Sequence, residues 1–129
     1  MKIDFNMRRL ALARLLAVAV LACSFPVWAG EADVVGAKVT KVGNSKYNFD
    51  VTIRSNDRGW DYFCDRFEVL TPDGKVLGIR TLLHPHETEQ PFTRELYGVS
   101  VPAGLKEVRI RAHHKPKGYD GKTITVKLP

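Results

Sequence analysis

The sequence predicts an all-β protein: a seven-stranded antiparallel β-sandwich that follows an N-terminal signal peptide. Three observations support this fold class. After residue 29, apolar residues alternate with polar ones in short runs, which is the period-2 pattern of half-buried strands. Turn-forming clusters rich in Gly, Pro, Asn and Asp separate these runs, and no stretch carries an apolar 3.6-residue repeat over three turns. An open-ended barrel built from the same strands is the alternative.

The first 29 residues are typical of a secretory signal peptide. Four basic residues precede an apolar run at 15–22, and Val27-Trp-Ala29 has small or apolar residues at the two positions that define a cleavage site before Gly30. The apolar run is shorter than the roughly 20 residues of a membrane-spanning helix, which argues against a retained anchor. We therefore predict two regions: a signal peptide at 1–29 and one β-sandwich domain at 30–129, which would be periplasmic or secreted.

Cys23 allows a second interpretation of the same segment. Val20-Leu-Ala-Cys23 resembles a bacterial lipobox, in which the cysteine is lipidated and becomes the mature N-terminus. Leu21 is an uncommon residue at its position in that pattern. This alternative predicts a lipoprotein anchored at Cys23, whereas cleavage before Gly30 predicts membrane contact through the signal peptide only.

The charge of the domain argues against nucleic acid as a partner. The whole chain has a formal net charge of +6, but its first 29 residues contain four basic residues and one acidic residue, so residues 30–129 carry only +3. A surface of mixed charge in an exported protein lacks the basic patch that nucleic-acid binding requires. The partner is therefore expected to be a protein or a small ligand.

Alternation predicts the first three strands. The first covers residues 35–40, and the second, at 47–54, is the clearest because one face is apolar and the other is entirely polar. The third covers residues 65–70, where Phe67 and Val69 share a face.

Turn residues and alternation together predict the last four strands. Pro72-Asp-Gly74 forms a turn, because proline presets φ and glycine supplies a left-handed position. The fourth strand follows it at 76–83, the fifth covers 92–101, the sixth 107–112 and the seventh 123–128.

Three features of this layout carry a family resemblance: the alternating strand Tyr47–Ile53, the turn at 72–74, and Val99-Ser-Val-Pro-Ala-Gly104 leading into 108–112. In these the chain resembles the fibronectin type III and immunoglobulin-like sandwiches of secreted bacterial proteins, which implies two packed sheets. The Cys…Trp…Cys pattern of antibody domains is absent. Its Trp-Asp…Asp-Arg-Phe and His-Pro-His…Glu-Gln-Pro-Phe-Thr-Arg stretches also resemble a small exported bacterial family, which implies no particular activity.

The strand order predicts where a site would lie. Successive strands of an antiparallel sandwich run in opposite directions, so the connections after the second, fourth and sixth strands share one end. These connections, residues 55–62, 84–91 and 113–122, are the long ones, and they contain all four histidines. Because function on such scaffolds usually lies in loops held by rigid sheets, we expect the site at this end.

Metal binding is one hypothesis for this end. His84 and His86 are two residues apart, which places both imidazoles on the same side of an extended backbone. His113 or His114 would approach from the neighbouring loop, and such nitrogen ligands with a carboxylate suit copper or zinc. Four exposed loop histidines without a metal are the simpler alternative.

Ligand or partner binding is the other hypothesis. Aromatic and acidic side chains in the same three loops could stack on a sugar or hold a peptide. Packing of Trp60 over the end of the core is the structural alternative. The candidate binding residues are Trp60, Asp61, Tyr62, Glu87, Glu89 and Tyr119.

Residues 30–129 contain no recognisable catalytic motif. Cys64 is their one cysteine, so an internal disulfide is excluded, and its aromatic neighbours Tyr62 and Phe63 predict that it is buried. We therefore expect no enzyme and no cofactor, but an exported, non-catalytic binding module. The alternative is a periplasmic copper- or zinc-binding protein that uses His84 and His86.

Overall fold

The computed structural model describes residues 30–129, and these residues form two antiparallel sheets packed face to face. One sheet has the strand order β1-β2-β5 and the other β4-β3-β6-β7. The predicted seven-stranded sandwich is confirmed. The strands are β1 Ala32–Gly43, β2 Lys46–Ser55, β3 Phe63–Leu70, β4 Val76–Thr81, β5 Phe92–Ser100, β6 Glu107–Lys115 and β7 Ile124–Lys127.

The core lies between the two sheets and is built by alternation. Along β2, every second side chain from Tyr47 to Ile53 is buried, and β5 adds the buried Phe92. The facing sheet contributes Phe67 and Val69 of β3 and the apolar positions of β6. Each fully buried side chain of this size stabilises the fold by about 1.5–3 kcal/mol, so the core fixes the register from which the loops extend.

The first strand differs from its prediction because it contains a register shift. Val34 pairs with Ile53, but the next pair is Gly36 with Thr52, so Val35 is an extra residue on β1. Such a bulge reverses which alternate side chains face inward. Val34 is buried before the bulge, Ala37 packs on the core after it, and Val35 is exposed. Alternation over residues 35–40 places Val35 on the same face as Ala37, and the bulge makes this prediction wrong.

The end of β6 also differs from its prediction. Residues 113–122 were expected to form one loop, but β6 continues to Lys115 because β3 pairs with it through Phe63↔Lys115 and Cys64↔His114. His113 and His114 are therefore strand residues with opposite facing directions. Only residues 116–123 connect β6 to β7.

The three predicted connections meet at one end of the sandwich, which we call the loop pole: residues 56–62, 82–91 and 116–123. The Ser55 amide donates to Gln90 Oε1 at 2.8 Å, which joins the first two connections across β2 and β5. The ring of His114, at the end of β6, contacts the carbonyl of Asn56 at 3.0 Å. His86 and His113 therefore lie at the same end, as the strand order predicted.

The opposite end carries compact turns at 44–45, 71–75 and 101–106, and we call it the turn pole. Over residues 30–129, no helix is long and apolar enough to cross a membrane. The predicted signal peptide and the lipidation candidate Cys23 lie outside the described residues.

Candidate functional site at the loop pole

Asp57 organises the loop pole from the inside. Its side chain is fully buried and accepts hydrogen bonds from three groups: the Ser55 hydroxyl at 2.8 Å, the Cys64 amide at 3.0 Å and the His86 amide at 2.8 Å. These donors belong to the end of β2, the start of β3 and the β4–β5 loop. Since buried amides require acceptors, Asp57 fixes the positions of two loops relative to both sheets.

Gln90 completes this framework from the β4–β5 loop. Its amide group donates to the carbonyl of His86 at 2.9 Å and to the Ser55 hydroxyl at 3.2 Å, while its oxygen accepts from the Ser55 amide. The loop is thus fastened to β2 as well as to Asp57. Its conformation is held by hydrogen bonds rather than by regular pairing.

His86 is a buried part of this framework. Its ring stacks on Phe92 with centroids 4.0 Å apart, and its Nε2 lies 3.0 Å from the Arg94 guanidinium. Because arginine only donates, Nε2 must accept, and the proton of a neutral ring is on Nδ1, 3.9 Å from Asp57. Burial first, and then the charges of Arg94 and His84, lower the pKa of His86 below its ordinary value.

The four histidines do not converge on one point. The rings of His84 and His86 lie together, with centroids 4.5 Å apart, and His84 is exposed. His113 instead pairs with Asp65 at 2.6 Å on the outer face of the sheet, and His114 is fully buried. Within residues 30–129, no three His, Cys, Asp or Glu side chains are arranged to hold a metal ion. A metal site at this pole would have the imidazoles of His84 and His86 as its first two ligands, and Nε2 of His86 already accepts a hydrogen bond from Arg94.

Trp60 and Asp61 form the tip of a small hairpin within the β2–β3 connection. Gly59 and Tyr62 pair across it, with the Tyr62 amide donating to the Gly59 carbonyl at 3.1 Å. Trp60 touches the ring of Phe63 edge to face, but 66% of its surface is exposed. The alternative in which Trp60 covers the end of the core was wrong.

Tyr62 and Glu31 join this hairpin to the start of the described chain. The Tyr62 ring contacts both the Arg58 guanidinium, at 4.7 Å, and the His114 ring, with centroids 4.5 Å apart. Side-chain hydrogen bonds from Asn56 and Tyr62 lower the pKa of Glu31. Tyr62 is therefore a half-buried structural contact as well as a candidate binding residue.

The remaining candidate binding residues lie on two different surfaces, one formed by the β4–β5 loop and the other by a sheet face. Glu87 is exposed in the β4–β5 loop, and Glu89 pairs with Arg94 at 2.9 Å. Tyr119 instead folds back onto the outer face of the β4-β3-β6-β7 sheet, where its hydroxyl donates to Glu68 at 2.7 Å and its ring packs 3.9 Å from the Arg111 guanidinium.

The cluster around Glu68 was not predicted from the sequence. Glu68 is buried on the outer face and is held by Arg66, Arg111 and Tyr119. Burial alone would raise its pKa, but these three hydrogen bonds outweigh it and lower the pKa. The sequence feature that could have indicated this cluster is the set of complementary charges at alternate positions of β3 and β6.

Leu83 was also missed as a candidate. It follows the buried Leu82, whose amide donates to the Asp65 carbonyl at 2.9 Å, and 75% of its surface is exposed. The signal was the Leu82-Leu83 pair, since adjacent residues in an extended chain cannot both face the core. Leu83 and Trp60 are the large apolar side chains that the loop pole leaves most exposed among the described residues.

Cys64 is fully buried, as predicted, and it is a free thiol. Burial, together with the nearby Asp57, raises its pKa. A thiol with a raised pKa stays protonated at neutral pH and is a poor nucleophile.

Comparison with known proteins gives one informative similarity. A protein of Halomicrobium mukohataei named "Putative lipoprotein" is 38% identical to this chain over 96 residues, which are 74% of this chain and 47% of that protein. The chain therefore spans about half the length of this relative. No family model matches the chain, and no solved structure matches it. The two-sheet sandwich is observed, while membership of the fibronectin type III or immunoglobulin-like families stays a prediction.

Proposed function

We propose that this chain is an exported, non-catalytic binding module that presents the loop pole to a partner protein or small ligand. Export is supported by the basic and apolar residues of the first 29 positions. It is also supported by the similarity to a protein named as a lipoprotein. That name favours lipidation at Cys23 over cleavage before Gly30.

The observation that carries the binding proposal is the contrast between the frame of the loop pole and its surface. Asp57 and Gln90 hold the loops by buried or partly buried hydrogen bonds. Trp60 and Leu83 nevertheless stay largely exposed on this frame. A large aromatic side chain held on a rigid support binds with little loss of conformational entropy, which is why tryptophan is frequent among residues that dominate binding energy.

The binding proposal is tested with immobilised protein and solubilised envelope proteins of the native cell. We expect wild type to retain a defined partner, and Trp60→Ala with Leu83→Ala to lose it. Ile79→Ala is the matched control, because Ile79 is also exposed but lies on β4, away from the loops. Retention that is unchanged by the loop-pole double variant, or abolished equally by Ile79→Ala, would contradict the proposal.

The mode of anchoring is tested separately. A lipoprotein should incorporate labelled palmitate and lose the label in Cys23→Ser. Processing before Gly30 predicts instead an unlabelled protein whose first residue is Gly30. An unprocessed, unlabelled chain in the cytosol would contradict export altogether.

A transition-metal site is the second candidate, favoured by the 4.5 Å separation of the His84 and His86 rings. Copper or zinc at these rings would have to displace Arg94 from His86 Nε2. Titration with Cu²⁺ and Zn²⁺ by calorimetry tests this candidate. It predicts saturable binding that is lost in His84→Ala and strengthened in Arg94→Ala, whereas binding unchanged by His84→Ala would contradict it.

A further inference from the structure

The first described residues, Gly30 and Glu31, lie at the loop pole and contact two of its three connections. The Asn56 amide donates to the Glu31 carbonyl at 2.8 Å, and the Glu31 amide donates to Asp120 Oδ1 at 3.2 Å. Gly30 packs so closely that an added Cβ would lie 2.4 Å from the Asp120 carbonyl oxygen. Residues 1–29 are therefore joined to the domain at the loop pole.

The length of the connecting segment limits how the domain can face an anchor. From Cys23, only the six residues 24–29 precede Gly30. Fully extended at roughly 3.3–3.6 Å per residue, the seven steps from Cys23 to Gly30 reach about 23–25 Å. The 10 residues of β2, which run between the two poles, span about 30 Å over their nine steps at roughly 3.3 Å each. A lipid on Cys23 therefore holds the loop pole close to the membrane. The connecting segment is too short to run the length of the domain, so the turn pole cannot face the membrane instead.

The surface of the loop pole suits an interface between water and lipid. Trp60 stands at a hairpin tip, and tryptophan favours the headgroup region because its ring is apolar while its N–H can still find an acceptor. Leu83 adds a second exposed apolar side chain from the next connection. Exposed charges of both signs surround them, so neutral and anionic lipids should be contacted equally. The exposed charged residues of the three connections are Arg58, Asp61, Glu87, Glu89, Lys117, Asp120 and Lys122.

We infer that the loop pole faces the membrane, with Trp60 and Leu83 in contact with the lipid interface. This inference rests on the proposed anchoring at Cys23 and assigns to the binding module a lipid surface as its partner. The turn pole, with its compact turns, then points into the aqueous compartment.

The fluorescence of Trp60 provides the test. The full chain has two tryptophans, so Trp28→Phe leaves Trp60 as the single probe. The protein, matured in cells, is reconstituted into phosphatidylethanolamine–phosphatidylglycerol vesicles that contain brominated lipid, which quenches tryptophan only at short range. Two matched controls carry Trp28→Phe and Trp60→Phe with either Val42→Trp or Val76→Trp, since both valines are exposed near the turn pole.

We expect severalfold stronger quenching of Trp60 than of either turn-pole probe, with no dependence on the fraction of phosphatidylglycerol. A further probe, Leu83→Trp in the background without the other tryptophans, should be quenched like Trp60. Vesicle flotation reports anchoring independently of orientation. Protein that floats but shows equal quenching at both poles would overturn the inference and leave the anchoring intact. Protein that does not float would overturn both.

Discussion

Removal of the Asp57 side chain should destabilise the domain far more than its position in a surface connection suggests. In Asp57→Ala, the Ser55 hydroxyl and the amides of Cys64 and His86 lose their acceptor inside the protein. A buried donor left without a partner costs about 1–3 kcal/mol, so these three donors together cost about 3–9 kcal/mol. That is a large share of the roughly 5–15 kcal/mol that stabilises a domain of this size.

Urea denaturation followed by circular dichroism measures this loss as a change in the free energy of unfolding. Asp57→Asn keeps the shape but turns one acceptor oxygen into a donor, so we expect an intermediate loss of about 1–3 kcal/mol. Asp61→Ala, four residues along the same connection but exposed at its tip, should change stability by less than about 0.5 kcal/mol. An Asp57→Ala protein within about 1 kcal/mol of wild type would refute the assignment of Asp57 as the centre of the loop frame, since even one orphaned donor costs that much.

Three further predictions concern single sites. The pKa of His86 is lowered in the folded state, so the unfolded chain takes up the proton at higher pH and stability should fall as the pH drops below about 6.5, the ordinary histidine value. Urea midpoints measured against pH should show a smaller fall for His86→Gln than for wild type. In a Cys23→Ser background, the buried thiol of Cys64 should react with Ellman's reagent only in denaturant, and rapid labelling of the native protein would contradict its burial. Gly121→Ala should lower the melting temperature strongly, because the new Cβ would lie 1.7 Å from the Ala32 carbonyl oxygen, whereas Gly36→Ala, with open space at that position, should change it little. Equal melting temperatures of the two variants would contradict close packing of the β6–β7 connection on β1.

The number of strands and the loop pole could be predicted because the evidence for them is local. Alternation in β2 and β6 is set by which face is buried, and a chain of seven antiparallel strands then places its even-numbered connections at one end. The same logic brought His86 and His113 to the same end without any knowledge of their contacts.

The errors have physical causes that one sequence does not reveal. The bulge at Val35 adds one residue to β1 opposite β2, and only the pairing with β2 shows it. His113 and His114 precede a Pro- and Gly-rich turn, which favours a loop locally, but their pairing with β3 extends the strand. Tertiary pairing decided both cases.

The chemistry of the pole was the least predictable part. Asp57 lies in a Ser-Asn-Asp stretch that is typical of an exposed turn, yet its partner His86 is 29 residues away. No local pattern distinguishes an exposed turn aspartate from one that accepts a distant amide. The sequence left His86 as either a metal ligand or an exposed loop histidine, whereas stacking on Phe92 and contact with Arg94 make it a buried part of the frame.

In-cell photo-crosslinking tests directly whether the loop pole is the surface by which the protein binds. A photoreactive phenylalanine analogue replaces Trp60 or Leu83 at the loop pole, and Val42 or Val76 near the turn pole, in the full chain. We expect adducts, to lipid or to a defined protein, from the two loop-pole positions and none from the other two. Adducts from Val42 or Val76 at equal yield, with none specific to Trp60 and Leu83, would contradict it.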